Sequence, residues 1–459
     1  MEASLPISVA VKPAPVSAVA FSPAKASTTS IRLPLQFMVV GLLALFTGAG
    51  WLVAQPDVLA VSRYAPGTVA VTHLFVLGWL CSVVMGAVYQ LVPVALETRL
   101  HSERLAQGQF VFHVVGFVGM VFMFQTWNMK WVGYFGTVLT IGVVLFIYNI
   151  ARTLGRVPKW NVIATGVASA LTWLLLTITV GLFLVAGQRG YAPVVRFNPI
   201  AAMNAHAHLG AVGFFTMLIV GVSYKLVPMF TLSEIQNHRR ATASVVLLSV
   251  GLIGLFFGIL LQQPRKLVFV VVIVAALALY GWELRAILRA RKRRALDWGV
   301  TYFLTALAML LPLSAVAVVL CWPNLPATQF TGQLETVYGL LGFTGFVSFA
   351  ILGMLYKIIP FLIWFGIYSK HIGRSQVPAL ADMYSAPLQA AGYWTYLAGL
   401  LATVTAALLA SPAGVRIGCS LLALSLGIFA VNVGKILSHF FRPKLTPLGV
   451  NRTTSRITP

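Results

Sequence analysis

Two histidines stand at the head of an apolar segment that is long enough to cross a lipid bilayer. The segment NAHAHLGAVGFFTMLIVGVSYKLVP covers residues 204–228 and carries His206 and His208 near its start. An imidazole inside a membrane is costly unless it faces a cavity, a polar partner or a metal ion. Helical residues two positions apart point about 200° apart. The two rings therefore cannot easily chelate one metal ion together, but they can face two neighbouring clefts.

The same segment occurs in three related copies. They are THLFVLGWLCSVVMGAVYQLVP (72–93), AHLGAVGFFTMLIVGVSYKLVP (207–228) and GLLGFTGFVSFAILGMLYKIIP (339–360), and they start 135 and 132 residues apart. Counted from His73, His208 and Leu340, each copy has Gly at +5 and +13, Tyr at +16 and Pro at +20. Four matched positions in three copies indicate an internal repeat. The histidine position is kept in the first two copies and is leucine in the third.

The repeat positions indicate what surrounds the histidines. The two glycines of each copy point only about 80° apart, on a face where another helix or a flat ligand can approach the backbone. The Tyr and the Pro are typical of an interface anchor and a helix end. Pro93 follows His73 by 20 residues, or about 30 Å. The histidines of both helices therefore lie near the opposite membrane surface, at similar depth.

Histidines in matched repeat positions favour a planar macrocycle held between helices. Heme accepts neutral imidazoles as axial ligands, and apolar side chains pack against its faces. We therefore take His73, His206 and His208 as candidate ligands of heme iron. The alternative is that these rings hydrogen-bond to the backbone or to the outer loop. The three scattered cysteines form no CxxCH motif, so the heme would be b-type and held non-covalently.

The rest of the chain must position these residues. Of its 459 residues, 59% are hydrophobic and 9% are charged, and the mean hydropathy is +0.90, which is typical of a polytopic membrane protein. Twelve apolar stretches reach the roughly 20 residues that a transmembrane helix needs. They are 34–54, 69–93, 107–127, 131–151, 160–186, 203–230, 242–262, 267–288, 299–321, 333–362, 388–410 and 415–438. The sequence predicts an all-α, twelve-helix transmembrane bundle of three pseudo-repeats of four helices, each with the marked helix second.

The net charge of +23 indicates topology rather than nucleic-acid binding. Of the 32 Lys and Arg, 25 fall on the side that holds both termini, and seven fall on the other side. The positive-inside rule then places both termini in the cytoplasm, and we expect an integral, multi-pass protein of a bacterial inner membrane. The basic cluster at 289–294 is expected to contact anionic lipid headgroups.

Three segments are expected along the chain. Residues 1–33 are rich in Ala, Ser, Pro and Val and predict a disordered cytoplasmic segment. Residues 34–440 form the membrane domain, and residues 441–459 form a cytoplasmic tail.

The histidine helix resembles the HxH helix of heme–copper oxidase catalytic subunits, especially the C-type oxidases and the nitric oxide reductases. The stretch that carries the likeness is HAHLGAVGFFTMLIVGVSYKLVP, and residues 72–93 resemble the second helix of that family. The resemblance implies that His206 binds a high-spin heme and that His208 and His73 share a low-spin heme. Twelve helices in three pseudo-repeats also match. The chain is similar in architecture to NnrS-type proteins, which contain heme and copper and are linked to nitric oxide stress.

The sequence departs from the family pattern at the copper ligands. The HxH helix is the sixth here and not the tenth, and the tenth helix carries Tyr338 and Leu340 at those positions. Residues 241–261 of the seventh helix contain no histidine. Rotating the site by one repeat would give His73 the role of a copper ligand, with His113 as a weak second candidate. Copper therefore remains an open possibility beside heme.

Three functional classes follow. The first is a redox enzyme of the oxidase or nitric oxide reductase kind, and the second is a heme protein that binds nitric oxide without turnover. The third is a non-heme transporter that uses the repeat symmetry. Most of the nine acidic residues lie in loops, which disfavours proton pumping. Electrons would have to come from a quinol, a cytochrome or a partner subunit.

Overall fold

The protein folds as a bundle of long apolar helices. The computed structural model describes residues 30–60, 64–189 and 197–447. Within these ranges, twelve helices are long and apolar enough to cross a membrane, which confirms the predicted all-α architecture and an integral, multi-pass membrane protein. Helices 1 to 12 are Arg32–Ala54, Pro66–Ala95, Glu103–Gln125, Met129–Leu154, Val162–Gln188, Pro199–Thr231, His238–Leu260, Lys266–Arg289, Trp298–Leu320, Gln329–His371, Ala386–Leu408 and Pro412–Phe441.

Most boundaries agree with the sequence to within a few residues. Helix 10 differs most, because it continues to His371, nine residues beyond the predicted 362. A two-residue antiparallel pair, Ser375–Gln376 with Thr446–Pro447, joins the loop after helix 10 to the chain beyond helix 12. The predicted segments 1–33 and 441–459 lie largely outside the described residues, so their boundaries remain predictions.

The three helices marked by the repeat form the inner ring. In helices 2 and 6, 72% of the most apolar stretch is buried, and in helix 10 it is 83%, against 22–44% in the other nine described helices. The outer helices expose apolar side chains such as Phe122, Trp282 and Leu401, as a bundle in lipid does. Position in the repeat thus decides which helix is central.

The repeat glycines bring helices together. The +13 glycines Gly86, Gly221 and Gly353 each meet the first helix of their own repeat, namely helix 1, 5 or 9. The closest pair is Gly221 with Gly166, where a Cβ on Gly166 would lie 2.6 Å from the Cα of Gly221. Another helix, and not a flat ligand, therefore occupies this face of each inner helix.

A polar side chain fastens the two outer helices that end each repeat. The amide of Asn149 in helix 4 accepts from the backbone N–H of Ser102 at 3.0 Å and donates to its carbonyl at 2.7 Å. Asn432 in helix 12 makes the same two bonds to Ser385, at 2.8 and 3.0 Å. Both serines also cap the following helix. The amides thus hold the start of one helix against the end of its partner.

The second repeat uses a carboxylate in the same place. Glu283 in helix 8 accepts from the backbone N–H groups of Gln236 and Asn237 at 2.6 and 3.0 Å. Its other oxygen accepts from Arg240 at 2.8 and 2.5 Å. This buried acid beside a membrane span is therefore paired and has a structural role.

Two ends of the bundle can now be named. The backbone N–H of Ser30, before helix 1, donates to Glu103 at the start of helix 3 at 2.9 Å, so the odd-numbered helices start at one end. We call this the basic end, because most of the described Lys and Arg lie there. The opposite end, where His73, His206 and His208 lie in helices 2 and 6, is the histidine end.

Candidate functional site

Each inner helix changes to a π-helix at the same point of the repeat. The π-helical stretches are Leu74–Cys81, Leu209–Thr216 and Leu341–Ser348. Each begins directly after the repeat position occupied by His73, His208 or Leu340. The stretch of helix 10 packs against those of helices 2 and 6. π-helical segments are rare, and because the one in helix 10 follows Leu340, they mark one level that all three inner helices share and not the histidines themselves.

His73 and His208 share one hydrogen-bond arrangement. The Nδ1 atom of each lies 2.8 Å from the backbone carbonyl four residues earlier, which belongs to Val69 and Asn204 respectively. A carbonyl oxygen only accepts, so Nδ1 carries the proton and Nε2 keeps its lone pair. A backbone carbonyl on the second ring nitrogen is the usual support of a metal-ligating histidine. Both rings are thus prepared to use Nε2 as a ligand atom.

His206 lies on the other side of helix 6, against helix 5. Its Nδ1 atom is buried and meets no hydrogen-bond partner of good geometry among the described residues, although the backbone of Thr177 in helix 5 lies close to the ring. The ring fits against Gly181, where a Cβ would lie 3.0 Å from Cε1 of the imidazole. An unpaired buried nitrogen costs free energy, and it is the kind of atom that a bound group would satisfy.

His208 faces helix 10 instead. The hydroxyl of Tyr338 donates to Nε2 of His208 at 3.3 Å, and the two rings stack at 22° with centroids 5.7 Å apart. Tyr338 stands two residues before Leu340, which is where His206 stands relative to His208. The third repeat therefore offers a phenol at the position where the second repeat offers an imidazole. The ring of His73 lies against Phe124 of helix 3, with centroids 4.5 Å apart.

The weak candidate His113 is not brought to the other histidines. Its Nε2 lies 2.9 Å from the hydroxyl of Ser82, and Ser82 follows His73 in helix 2 by nine residues, roughly two turns deeper in the membrane. The ring is fully buried beside Phe117. Within the described ranges, no three His, Cys, Asp or Glu side chains form a group that could hold a metal ion. The described residues therefore do not fit a three-ligand copper centre.

A lysine near the basic end of helix 10 also forms a structural ion pair. Lysines near the end of a span usually extend their ammonium group to the lipid headgroups, and Lys357 of helix 10 lies three residues before Pro360. Its ammonium instead forms an ion pair with Asp297, which caps helix 9. It also lies 4.7 Å from the ring centroid of Phe230. This lysine joins helix 10 to its neighbours and does not form part of the histidine site.

Sequence reasoning missed two contributors to the site, Tyr338 as a partner of His208 and Gly181 as the seat of His206. The sequence placed Tyr338 at the HxH position of helix 10, but its contact with His208 of helix 6 has no signal in the sequence. Gly181 lies outside the repeat motif and has no signal in the sequence alone.

The fold has a counterpart among solved structures. No protein-family model matches the chain, and no curated protein does. The structure is similar to one described as a heme–copper terminal oxidase dimer, solved by cryo-EM, with a TM-score of 0.64 and 11% sequence identity. The alignment covers 89% of this chain and 84% of that one. The heme–copper oxidase-like fold that the resemblance implied is confirmed at the level of architecture.

Proposed function

We propose that the protein is a heme-binding integral membrane redox protein that acts on nitric oxide or oxygen. The proposal rests on the hydrogen bonding of the three imidazoles at the histidine end. Two of them present an unprotonated Nε2, and the third has a buried nitrogen that meets no hydrogen-bond partner of good geometry among the described residues. The likeness to a heme–copper terminal oxidase supports heme as the group that they hold.

The residues fit a non-covalent heme. Neutral imidazole is the axial ligand that heme iron accepts, and apolar helices supply the remaining contacts. His206 and His73 would hold it, because both lie near the same level of the inner helices 6 and 2 and the Tyr338 contact is made by His208 instead. With both histidines as ligands the iron would exchange one electron, and it would take up a small gas only after one of the two imidazoles releases it. The chain itself fixes the tautomer of His73 through Val69 and excludes water with apolar side chains.

The contacts bear on which histidines work together. The family resemblance pairs His208 with His73, whereas the structure seats His208 against Tyr338. A ligand role for His208 requires the phenol to release Nε2. We therefore propose His206 and His73 as the first heme site, and His208 as a second that depends on movement of Tyr338.

Binding without turnover is the second candidate function. Two observations favour it. Helix 10 carries Tyr338 and Leu340 where the family has a histidine pair, and the described residues do not fit a copper centre. In this case the protein would buffer or sense nitric oxide. Multi-electron reduction would instead require electrons from a quinol, a cytochrome or a partner subunit. In either case we propose that the protein lies in a bacterial inner membrane with its basic end facing the cytoplasm.

The absorption spectrum of the purified protein tests the proposal. Cells supplied with excess heme should yield protein with a Soret band that shifts on addition of nitric oxide or carbon monoxide. His73→Ala and His206→Ala should each lower the heme content, while His238→Ala, an exposed histidine at the basic end, should not. A colourless wild-type protein would leave the transporter as the remaining class. Steady consumption of nitric oxide or oxygen with a quinol donor would favour turnover over binding.

A further inference from the structure

Helix 9 is broken next to its neighbour, helix 8. It runs from Trp298 to Ala308 and starts again at Leu310 after a turn at Met309. Pro312 accounts for the break, because it has no N–H for the carbonyl of Ala308 and its ring crowds that carbonyl. Helix 8 contacts the Leu310–Leu320 half of helix 9. An open groove of about 890 Å³ lies along helix 8 and reaches helix 9 at Leu311, beside the break.

The groove is charged at one end and apolar at the other. Arg285 and Arg289 line it at the basic end, and Ala278, Gly281 and Leu311 line it deeper in the bundle. A Cβ on Gly281 would meet nothing within 4 Å, and Leu311 is 76% exposed. Ala278 lies 11 residues before Arg289, or about 17 Å along the helix. The groove therefore has the length and the polarity of a lipid, from its headgroup into its acyl chain.

The charge at the head of the groove is not neutralised by the protein. Glu283, the nearest acid of helix 8, is already bound by Arg240. Neither Arg285 nor Arg289 has a carboxylate partner among the described residues. Like charges four residues apart on a helix repel each other. A phosphate between the two guanidinium groups would remove this repulsion, and arginine suits the planar, bidentate contacts that phosphate offers.

A fixed aromatic ring borders the same groove. The guanidinium of Arg240 lies 4.7 Å from the ring centroid of Trp282, and Glu283 holds that guanidinium in place. Trp282 is 63% exposed. Tryptophan prefers the membrane interface, where its ring contacts both headgroup and chain. Its position marks the depth at which a lipid glycerol would lie.

We propose that this groove is a binding site for one anionic phospholipid. The phosphate lies on Arg285 and Arg289, and an acyl chain follows helix 8 past Gly281 to Leu311. The site is built at the boundary between the second and third repeats. It does not depend on the heme proposal, because it lies at the opposite end of the bundle from the histidines.

Native mass spectrometry of the detergent-purified protein tests the site. The protein is titrated with phosphatidylglycerol, with phosphatidylcholine of the same chains, and with inorganic phosphate. We expect one tightly held phosphatidylglycerol and much weaker retention of phosphatidylcholine. Each arginine should contribute about a fivefold factor, so Arg285→Gln with Arg289→Gln should lower affinity about 25-fold. Arg99→Gln with Arg104→Gln removes the same charge from exposed positions at the basic end that lie outside the groove and outside the 289–294 cluster, and serves as the matched control.

A third variant separates the headgroup from the whole lipid. Gly281→Leu keeps both arginines and fills the acyl slot, and the open space at its Cβ together with the better helix propensity of leucine keeps the fold intact. It should lower phosphatidylglycerol affinity at least tenfold. Equal losses in the two double variants, unchanged binding in Gly281→Leu, full displacement of the lipid by inorganic phosphate, or equal retention of phosphatidylcholine would each overturn the proposal.

Discussion

Replacing Gly181 tests whether the imidazole of His206 binds the heme iron. A Cβ at position 181 would lie 3.0 Å from Cε1 of that imidazole, about 0.4 Å inside the 3.4 Å at which ordinary contact begins. Gly181→Ala therefore shifts the ring by a few tenths of an ångström, and Gly181→Val shifts it further. In Gly181→Ala, the gain of about 0.5–1 kcal/mol from removing a glycine from a helix interior opposes the cost of the close contact with the imidazole, so the unfolding midpoint should change little. The loss of heme should therefore exceed what the change in stability explains.

The assay is heme content and absorption spectrum beside a thermal unfolding curve. Changes in the support of a metal-ligating histidine typically lower affinity about 10–100-fold, and we expect Gly181→Val in this range and Gly181→Ala nearer its lower end. Gly427→Val in helix 12 is the matched control, because a Cβ there meets nothing within 4 Å. Wild-type heme content and an unshifted Soret band in Gly181→Val would show that His206 does not bind the iron.

Three further predictions concern the frame of the site. Gly221→Ala should destabilise the protein by about 1–3 kcal/mol, since its Cβ would lie 2.9 Å from the Cα of Gly166 and the two helices would have to separate. Asn149→Leu should cost about 1–3 kcal/mol, because it leaves the part-buried N–H of Ser102 without its partner and leaves the carbonyl of Ser102 with only the N–H of Ala106. Tyr338→Phe should leave stability nearly unchanged and raise the heme affinity of the second site, at His208, about threefold to tenfold, because it frees Nε2 of His208.

Unfolding midpoints in detergent measure the first two changes, and heme titration measures the third. Gly434→Ala, where a Cβ meets nothing within 4 Å, is the control for Gly221→Ala and should be neutral. Asn149→Asp keeps one acceptor and should lose less stability than the leucine variant. If Tyr338→Phe lowers heme affinity, then the phenol of Tyr338 supports heme binding at His208 and does not compete with the iron for Nε2.

The fold was predictable because lipid imposes a simple rule on sequence. Every spanning helix must be continuous and apolar for about 20 residues, so twelve spans could be counted directly. The inner ring was also readable, since the three copies of the repeat mark the three most buried helices. Helix 10 was predicted too short because its continuation past Pro360 depends on buried contacts such as that of Tyr368 with His439, which no local pattern shows.

The sequence identified the candidate histidines of the site, but it did not identify the residues that contact them. The types and spacing of His73, His206 and His208 singled them out, but the orientation of a ring depends on neighbours from other helices. Tyr338 and Gly181 lie more than 100 residues or a whole helix away from the residues that they contact. Glu283 shows the same limit, because a buried acid in a span suggests proton transfer until Arg240 is seen to neutralise it.

The pseudo-symmetry separates the features that all three inner helices share from those that differ among them. All three inner helices keep the glycines that bind them to an outer helix and the π-helical stretch that follows the histidine position. Those features belong to the frame, and they are satisfied whatever residue precedes them. The first two repeats place an imidazole there and support it by an identical bond to the backbone, whereas the third places leucine there and a phenol two residues earlier. Because the frame is indifferent to this choice, the residues at this one level are what distinguish the three repeats at the histidine end.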